Sequence, residues 1–439
     1  MNFALRLGYR AAGQLARGLA TVAPEGGSKV MRTLAARRGI RERFAAWGQT
    51  GRDPSRPLLW VHAPSVGEGL QARPVLELFR RERPDVQLAY THFSPSAASF
   101  AAGLDVEFRD YLPFDTVGDA RAALDALRPT GLVFSKLDVW PLLVEQASAR
   151  GVALGLISAT LAGASSRRAP LATALLRDAY ARLDVVGAID GADAAHLTAL
   201  GVRAAALSVT GDTRYDQVWA RAERVDRTGP LLAPLRSARP TLVAGSTWAA
   251  DEGPLLAAWE ALGARLPGAR LVVAPHEPTA DHLGSVERWA SRCGLRLARL
   301  GEGGAGSADV VLVDRTGVLG DLYALADAAY VGGGFHAAGL HSVLEPAAFG
   351  APVLFGSRFE ASRDARLLLE EGGGAAGATS AELLDRLTEW LGDAGARQAA
   401  GARAKAVVER GLGAARRSYA LVDGLLTRRP APCPVRSAD

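Results

Sequence analysis

From Leu58 onward, short apolar runs rich in β-forming residues alternate with longer amphipathic stretches: LLWVHA, then GEGLQARPVLELFRRER, then VQLAYTHF, then SPSAASFAAG. This alternation marks βαβ units, because two parallel strands can pair only after a crossover of helical length. The runs GLVFSK from 131, VALGLIS from 152, VVGAI from 185 and ALSVTG from 206 continue the series. Between Asp212 and Pro240 the pattern breaks into charged residues and then GPLLAPLRSARP, whose prolines suit a connector. It restarts with TLVAGS at 241, RLVVAP at 270, VVLVD at 310, AAYVGG at 328 and APVLFG at 351.

The chain is therefore expected to be α/β, with two Rossmann-like domains facing across a cleft. A length of 439 residues agrees, since single cores stop growing at about 250–300 residues. The expected layout is a basic amphipathic segment over 1–40, a Rossmann-like domain over 41–211 and a linker over 212–240. A second Rossmann-like domain follows over 241–405, then a helix over 406–427 placed to return to the first domain, and a tail over 428–439.

Composition bears on partners. A net charge of +5 and a pI near 9.4 suit an anionic ligand or a phospholipid surface. Nucleic acid is the poorest fit, because the positive charge is scattered without interleaved aromatics. Cys293 and Cys433 have no metal-ligand spacing and imply neither a disulfide framework nor a zinc site, a usage that suits a reducing cytoplasm. Near the N-terminus, Arg6, Arg10 and Arg17 interrupt the apolar residues, so no spanning run of about 20 apolar residues forms. With Lys29, Arg32, Arg37 and Arg38 they make a basic cluster opposed only by Glu25. Together with Phe3, Leu5, Leu7 and Leu15, the cluster suits either a membrane interface or a helix packed on its own domain.

Ligands of doubly wound sheets bind beyond the carboxyl ends of the strands, so the chemistry is sought in the loops there. In HAPSVGEG, residues 62–69, Gly67 leaves the backbone uncrowded and the amides at the helix start can hold an anion. Glu68 is placed either to take a proton or simply to complement the helix N-terminus.

WVHAPSVGEGLQARPVLELFR resembles the segment of the 3-deoxy-D-manno-octulosonic acid (Kdo) transferases that carries a small-residue loop ending in Ser-Val-Gly-Glu. The resemblance implies a GT-B fold with an acceptor domain first and a donor domain second. It gives Glu68 the role of general base, with Ser65 and Gly67 beside it on the acceptor side. AGSTWAADE, 244–252, places Ser246 and Thr247 where hydroxyls and free amides suit a phosphate, or where either caps the following helix. VVAPHEP puts His276 and Glu277 after a strand, resembling the family's Pro-Arg-His-Pro. VDRTGVLGDLYALADAAYVGGGF, 313–335, resembles its Asp-Thr-Met-Gly-Glu-Leu stretch and the helix and glycine-rich strand end that follow. On this reading Thr316 and Gly317 present amides to the donor phosphate, while Gly332, Gly333 and Gly334 make room for a ligand. LHSVLEP then supplies His341, Ser342 and Glu345, the glutamate being suited to a nucleotide ribose.

The sequence also departs from the family. Where Glu-Thr-Glu-Leu-Trp-Pro is usual, the chain has Lys136, Leu137, Asp138, Val139, Trp140 and Pro141. Where Asn-Ala-Arg-Leu-Ser is usual it has Ser158 to Ala162, with Arg167 and Arg168 nearby. Lys136, Asp138, Arg167 and Arg168 are thus the expected acceptor contacts of a divergent branch. The resemblance implies inverting transfer of Kdo from CMP-Kdo to a lipid A precursor, without metal or cofactor, by a peripheral protein on the cytoplasmic face of the bacterial inner membrane. The alternatives are another two-Rossmann nucleotide-sugar transferase, a sugar-nucleotide 2-epimerase, or a degenerate binding protein.

Overall fold

The computed structural model describes residues 3–26, 28–162 and 165–427. The chain divides into two compact units, Met1–Gln217 with Gly413–Asp439, and Val218–Leu412. The tail 428–439, with Cys433, lies outside the described residues.

The first unit is built on β1 (Leu58–His62), β2 (Gln87–His92), β3 (Phe108–Tyr111), β4 (Gly131–Ser135), β5 (Ala153–Ala159), β6 (Val185–Ala188) and β7 (Leu207–Val209). All run parallel, in the order β3-β2-β1-β4-β5-β6-β7. Every residue of β1 and β2 is buried because both sheet faces are covered. Strand alternation then assigns each side chain to a layer: Leu58 and Trp60 join Phe44 and Leu143, whereas Leu59 and Val61 join Val75, Phe79 and Tyr419.

Tyr419 belongs to the last helix, Ala414–Thr427, which covers one face of this sheet. Strand glycines let it approach: a Cβ on Gly131 would stand 2.7 Å from Leu426, and one on Gly155 would stand 3.2 Å from Leu425. The chain rejoins the first unit at Gly413, not at 406, because the preceding helix runs unbroken over Ala394–Gly411 and closes the second unit.

The second unit carries β8 (Thr241–Thr247), β9 (Arg270–Pro275), β10 (Leu297–Arg299), β11 (Val310–Leu312), β12 (Ala328–Val331), β13 (Val353–Gly356) and β14 (Gly374–Gly377). They are parallel, in the order β10-β11-β9-β8-β12-β13-β14. Leu242 and Ala244 face one core layer and Val243 the other. The stretch read as a linker is largely structured: helix Thr213–Arg224 opens it, and Leu232 and Leu235 are buried in the second unit.

Three helices precede the first sheet: α1 (Phe3–Val22), α2 (Lys29–Ala35) and α3 (Ile40–Thr50). α1 is moored to the first unit by Tyr9, whose hydroxyl donates to Asp115 at 2.6 Å, and by the ion pairs Arg6–Glu145 and Arg17–Asp119. Arg37 is buried against the carbonyls of Thr33 and Leu112, with its guanidinium over Phe93, and Arg38 reaches the carbonyls of Ala20 and Ala23. Four members of the basic cluster are therefore tied into the protein, as expected of the reading in which the helix packs on its own domain. The exposed side of this region also carries apolar residues: Leu7, Leu15, Leu19 and Val22 on α1, Val30 on α2, and Leu171, which with Leu175, Leu5 and Tyr9 lines a shallow hollow. Among the described residues no helix is long and apolar enough to cross a membrane.

Candidate active site

In each sheet two neighbouring central strands send their crossovers in opposite directions, and several of the residues singled out from sequence lie in the loops at that reversal point. In the first unit the reversal lies between β1 and β4, and in the second between β8 and β12. A gap opens at the carboxyl ends where successive crossovers leave in opposite directions, which is why such points bind ligands.

In the first unit, β1 passes through the Pro64-Ser65 turn into helix α4 (Val66–Glu82), with Ser65 at the N-cap position. The Ser65 hydroxyl does not cap; it donates to Glu68 Oε2 in the first turn. Lys136 follows β4, and its ammonium lies 3.1 Å from Glu68 Oε1. Burial pushes the Glu68 carboxyl up, but the Ser65 hydroxyl and the Lys136 ammonium outweigh it and hold the group below the ordinary carboxylate range. The side chain is ionised at neutral pH and partly exposed, as a proton acceptor must be. Gly67 is exposed with open space around it, whereas the unpredicted Gly69 is a packing residue: a Cβ there would meet Phe100 at 2.4 Å.

Asp138 is the second carboxylate of this cluster. Trp140 Nε1 donates to it at 3.0 Å, Arg167 Nη2 stands 3.4 Å away and His62 Nε2 3.3 Å away. Burial raises its carboxyl, but His62, Trp140 and Arg167 together hold it low. Arg168 is exposed in the same short turn. Sequence reasoning did not single out His62 or Trp140, although both lie inside quoted motifs. In the divergent 158–162 segment, the Ser158 and Thr160 hydroxyls are engaged by Thr213 and Asp193.

In the second unit, Ser246 and Thr247 end β8, but neither caps the following helix, Ala249–Arg265. The N-cap is Trp248, whose amide donates to Asp251 at 3.0 Å. Thr247 is buried and its hydroxyl donates to Glu252 at 2.8 Å. Asp251, fully buried and not anticipated, also accepts from Tyr330 at 3.2 Å, from the Gly333 amide at 2.8 Å and from the Phe335 amide at 3.1 Å. It ties the loop after β8 to the loop after β12. The glycines there are required by close backbone packing. A Cβ on Gly332 would stand 2.1 Å from the Ser246 carbonyl oxygen, one on Gly333 2.1 Å from that of Gly339, and one on Gly334 2.4 Å from the Gly356 amide nitrogen. They let backbone pack on backbone.

The indole of Trp248 stacks on His336 with centroids 4.1 Å apart and on His276 at 4.5 Å, and His276 stacks on His341 at 4.5 Å. Trp248 Nε1 donates to His341 Nε2 at 3.1 Å, and burial together with His276 lowers the His341 imidazole. Among the described residues no group of three or more His, Cys, Asp or Glu is arranged to hold a metal ion, so these histidines stack instead of converging. Glu277, Thr316, Gly317 and Ser342 are exposed in the loops after β9, β11 and β12. Glu345 has no hydrogen-bond partner among the described residues; burial raises its carboxyl against the pull of Arg221. Arg221 itself donates to Asp321 at 2.8 Å.

The sequence profile of the family described as 3-deoxy-D-manno-octulosonic-acid transferase (kdotransferase) matches residues 38–217. A 3-deoxy-D-manno-octulosonic acid transferase from Bordetella pertussis is 31% identical over 397 residues, spanning 87% of this chain and 91% of its own length. One from Haemophilus influenzae is 25% identical over 358 residues, 81% of this chain and 83% of its own. Among solved structures, a putative UDP-N-acetylglucosamine 2-epimerase from Listeria monocytogenes superposes with a TM-score of 0.61 at 15% identity, covering 85% of this chain and 98% of its own. At that identity the likeness speaks to the fold alone, an α/β fold of GT-B type.

Proposed function

This chain belongs to the 3-deoxy-D-manno-octulosonic acid transferase family, and from that premise we propose that it transfers Kdo, or a closely related ulosonic acid, from its CMP-activated form to a lipid A precursor. The observation that carries the reading is Glu68, a carboxylate kept ionised at the reversal point of the first sheet. An acceptor hydroxyl gives its proton to Glu68 as its oxygen attacks the anomeric carbon, and the CMP phosphate departs from the opposite face with inversion. Ser65, Gly67, Asp138, Arg167 and Arg168 address the acceptor. Ser246, Thr247, His276, Glu277, Thr316, Gly317, Gly332, Gly333, His341, Ser342 and Glu345 form the donor side, to which Trp248 and His336 are added by their stacking. A single departing phosphate can be stabilised by backbone amides at a helix start without a cation. The test is incubation of pure protein with labelled CMP-Kdo and lipid A precursor: labelled lipid supports the proposal, while donor turnover or binding without transfer overturns it.

Glu345 is the residue proposed to grip the ribose hydroxyls, since a carboxyl with no hydrogen-bond partner among the described residues can accept from them. Glu345→Ala is expected to weaken CMP binding by about tenfold, the effect of losing one charge-assisted contact. Calorimetry with CMP checks this, and equal affinity for wild type and variant removes Glu345 from the donor site.

A lipid acceptor requires access to a bilayer. We propose that the exposed face of α1, with Leu7, Leu15, Leu19 and Val22, lies in the membrane interface, assisted by the exposed Arg10, Lys29 and Arg32. Each buried leucine contributes about 1.5–3 kcal/mol and each cation near an anionic leaflet about 1 kcal/mol, so the apolar face dominates. Leu7→Glu with Leu15→Glu is expected to lower cosedimentation with anionic liposomes by about tenfold or more while the melting temperature holds. Equal lipid binding by variant and wild type excludes this face as the anchor. Deleting residues 1–25 is a poorer test, since it also removes the Tyr9–Asp115 mooring.

A further inference from the structure

We propose that Lys136 is a positioning residue that sets the working pH range of Glu68, holding the base ionised in acid and helping it shed the proton it has taken. The inference rests on the proposed role of Glu68 as general base and concerns a residue that the family resemblance places only among acceptor contacts.

The backbone at Lys136 is left-handed, with φ at +68°. A long side chain adopts that conformation at a free-energy cost and keeps it only where its surroundings enforce it. The enforcement is visible: the Lys136 amide donates to the Ile157 carbonyl at 2.9 Å, and the neighbouring Ser135 hydroxyl donates to the Glu68 backbone carbonyl at 3.1 Å. These two bonds join the end of β4 to β5 on one side and to α4 on the other. The ammonium ends 3.1 Å from Glu68 Oε1, on the carboxylate oxygen that Ser65 leaves free. Each carboxylate oxygen keeps a second lone pair, so an acceptor hydroxyl can still donate to Glu68 while both partners stay in place.

Titratable and charged groups act on Glu68 from the elements around it. Lys136 comes from the end of β4, and Tyr90 from β2, its phenol raised out of the working range by burial and by Glu68 itself; Ser65 supplies the remaining neutral donor. Lys136 is the cation that pairs with Glu68 directly. An ammonium at this distance stabilises the carboxylate over the carboxylic acid, whereas the glutamate that resembling enzymes carry here has the opposite sign. The consequence is a trade. A more acidic conjugate acid stays deprotonated at lower pH and releases its proton to water more readily after each turnover, but it is a weaker base.

Removing the ammonium moves the acid limb of the rate profile upward, because Glu68 then protonates at higher pH. Lys136→Met is expected to lower kcat/KM at least about tenfold at pH 5 but less than about threefold at pH 8.5, and Lys136→Arg to restore most of the acid-side rate. A second readout needs no turnover. In carbon-13 spectra of the full chain, with the Glu68 carboxyl assigned by its loss in Glu68→Gln, that resonance is expected to titrate at higher pH in Lys136→Met than in wild type or Lys136→Arg. A uniform loss of rate at all pH values with an unmoved titration overturns the proposal. Should the wild type fail to transfer Kdo, the functional reading falls, while the titration still decides whether Lys136 governs Glu68.

Discussion

Glu68→Gln is expected to lower the rate of transfer by about a hundredfold or more while leaving the melting temperature and CMP affinity near those of wild type. The amide keeps the shape of the carboxylate and still offers an oxygen to the Lys136 ammonium, so the loop between β1 and α4 has little reason to move. What it cannot do is take a proton from a sugar hydroxyl. A hundredfold loss corresponds to about 2.7 kcal/mol of barrier, which falls within the range that general-base catalysis supplies. Donor binding should survive because the CMP side is assigned to residues of the second unit. The decisive comparison is single-turnover transfer at saturating donor, wild type against variant, with calorimetric CMP binding as the control. Transfer within a few-fold of wild type would mean that another group, or water, takes the proton.

Asp251→Ala is expected to have the largest effect on the second unit. Four donors converge on this buried carboxylate: the amides of Trp248, Gly333 and Phe335, and the Tyr330 hydroxyl. An alanine leaves them without an acceptor where water does not reach, and each unsatisfied buried donor costs about 1–3 kcal/mol. Allowing for partial relaxation, a total loss of about 3 kcal/mol is expected, or about 6–12 °C in melting temperature for a domain of this size. The same change unties the loop after β8 from the glycine turn after β12, so CMP affinity should fall with stability. Asp251→Asn keeps one acceptor oxygen and is expected to lie between the two. Thermal melting with and without CMP reads both effects, and an alanine variant that melts with wild type would show that the four donors find other partners.

The motif residues were legible because they sit in short, local signals. A strand run followed by small residues and a helix start located the loops around Glu68 and Ser246, and LHSVLEP located Glu345. The roles of their neighbours were not legible in the same way. His62 and Asp138 are 76 residues apart, and Asp251 and Gly333 are 82 apart, so nothing in either segment announces the other. The glycines of the 332–334 turn read as space for a ligand because sequence reports only a missing side chain; the neighbouring backbone that a Cβ there would meet is visible only in three dimensions. The basic N-terminal cluster read either as a membrane interface or as a packed helix for a similar reason. Charge is visible in sequence, but whether an arginine meets water or a carboxylate such as Glu145 or Asp119 is not.

By itself the sequence determined the class of fold. A fully buried parallel strand must be a continuous apolar run and its crossover must be amphipathic, and both patterns are local, so two successive sets of βαβ units could be read from Leu58 and again from Thr241. It did not reveal β3, β10 and β14. These strands have three or four residues, lie at sheet edges and carry charged residues or only glycine and alanine, because an edge position does not demand an apolar run. Above all, it did not reveal the order in which strands pair. That order is chosen by competition among long-range alternatives that satisfy the same local pattern, and it alone brings β1 beside β4 and β8 beside β12. The tertiary structure thereby decided that Lys136 meets Glu68 and that Gly332 meets Ser246, and with those contacts it decided where the two candidate clusters form.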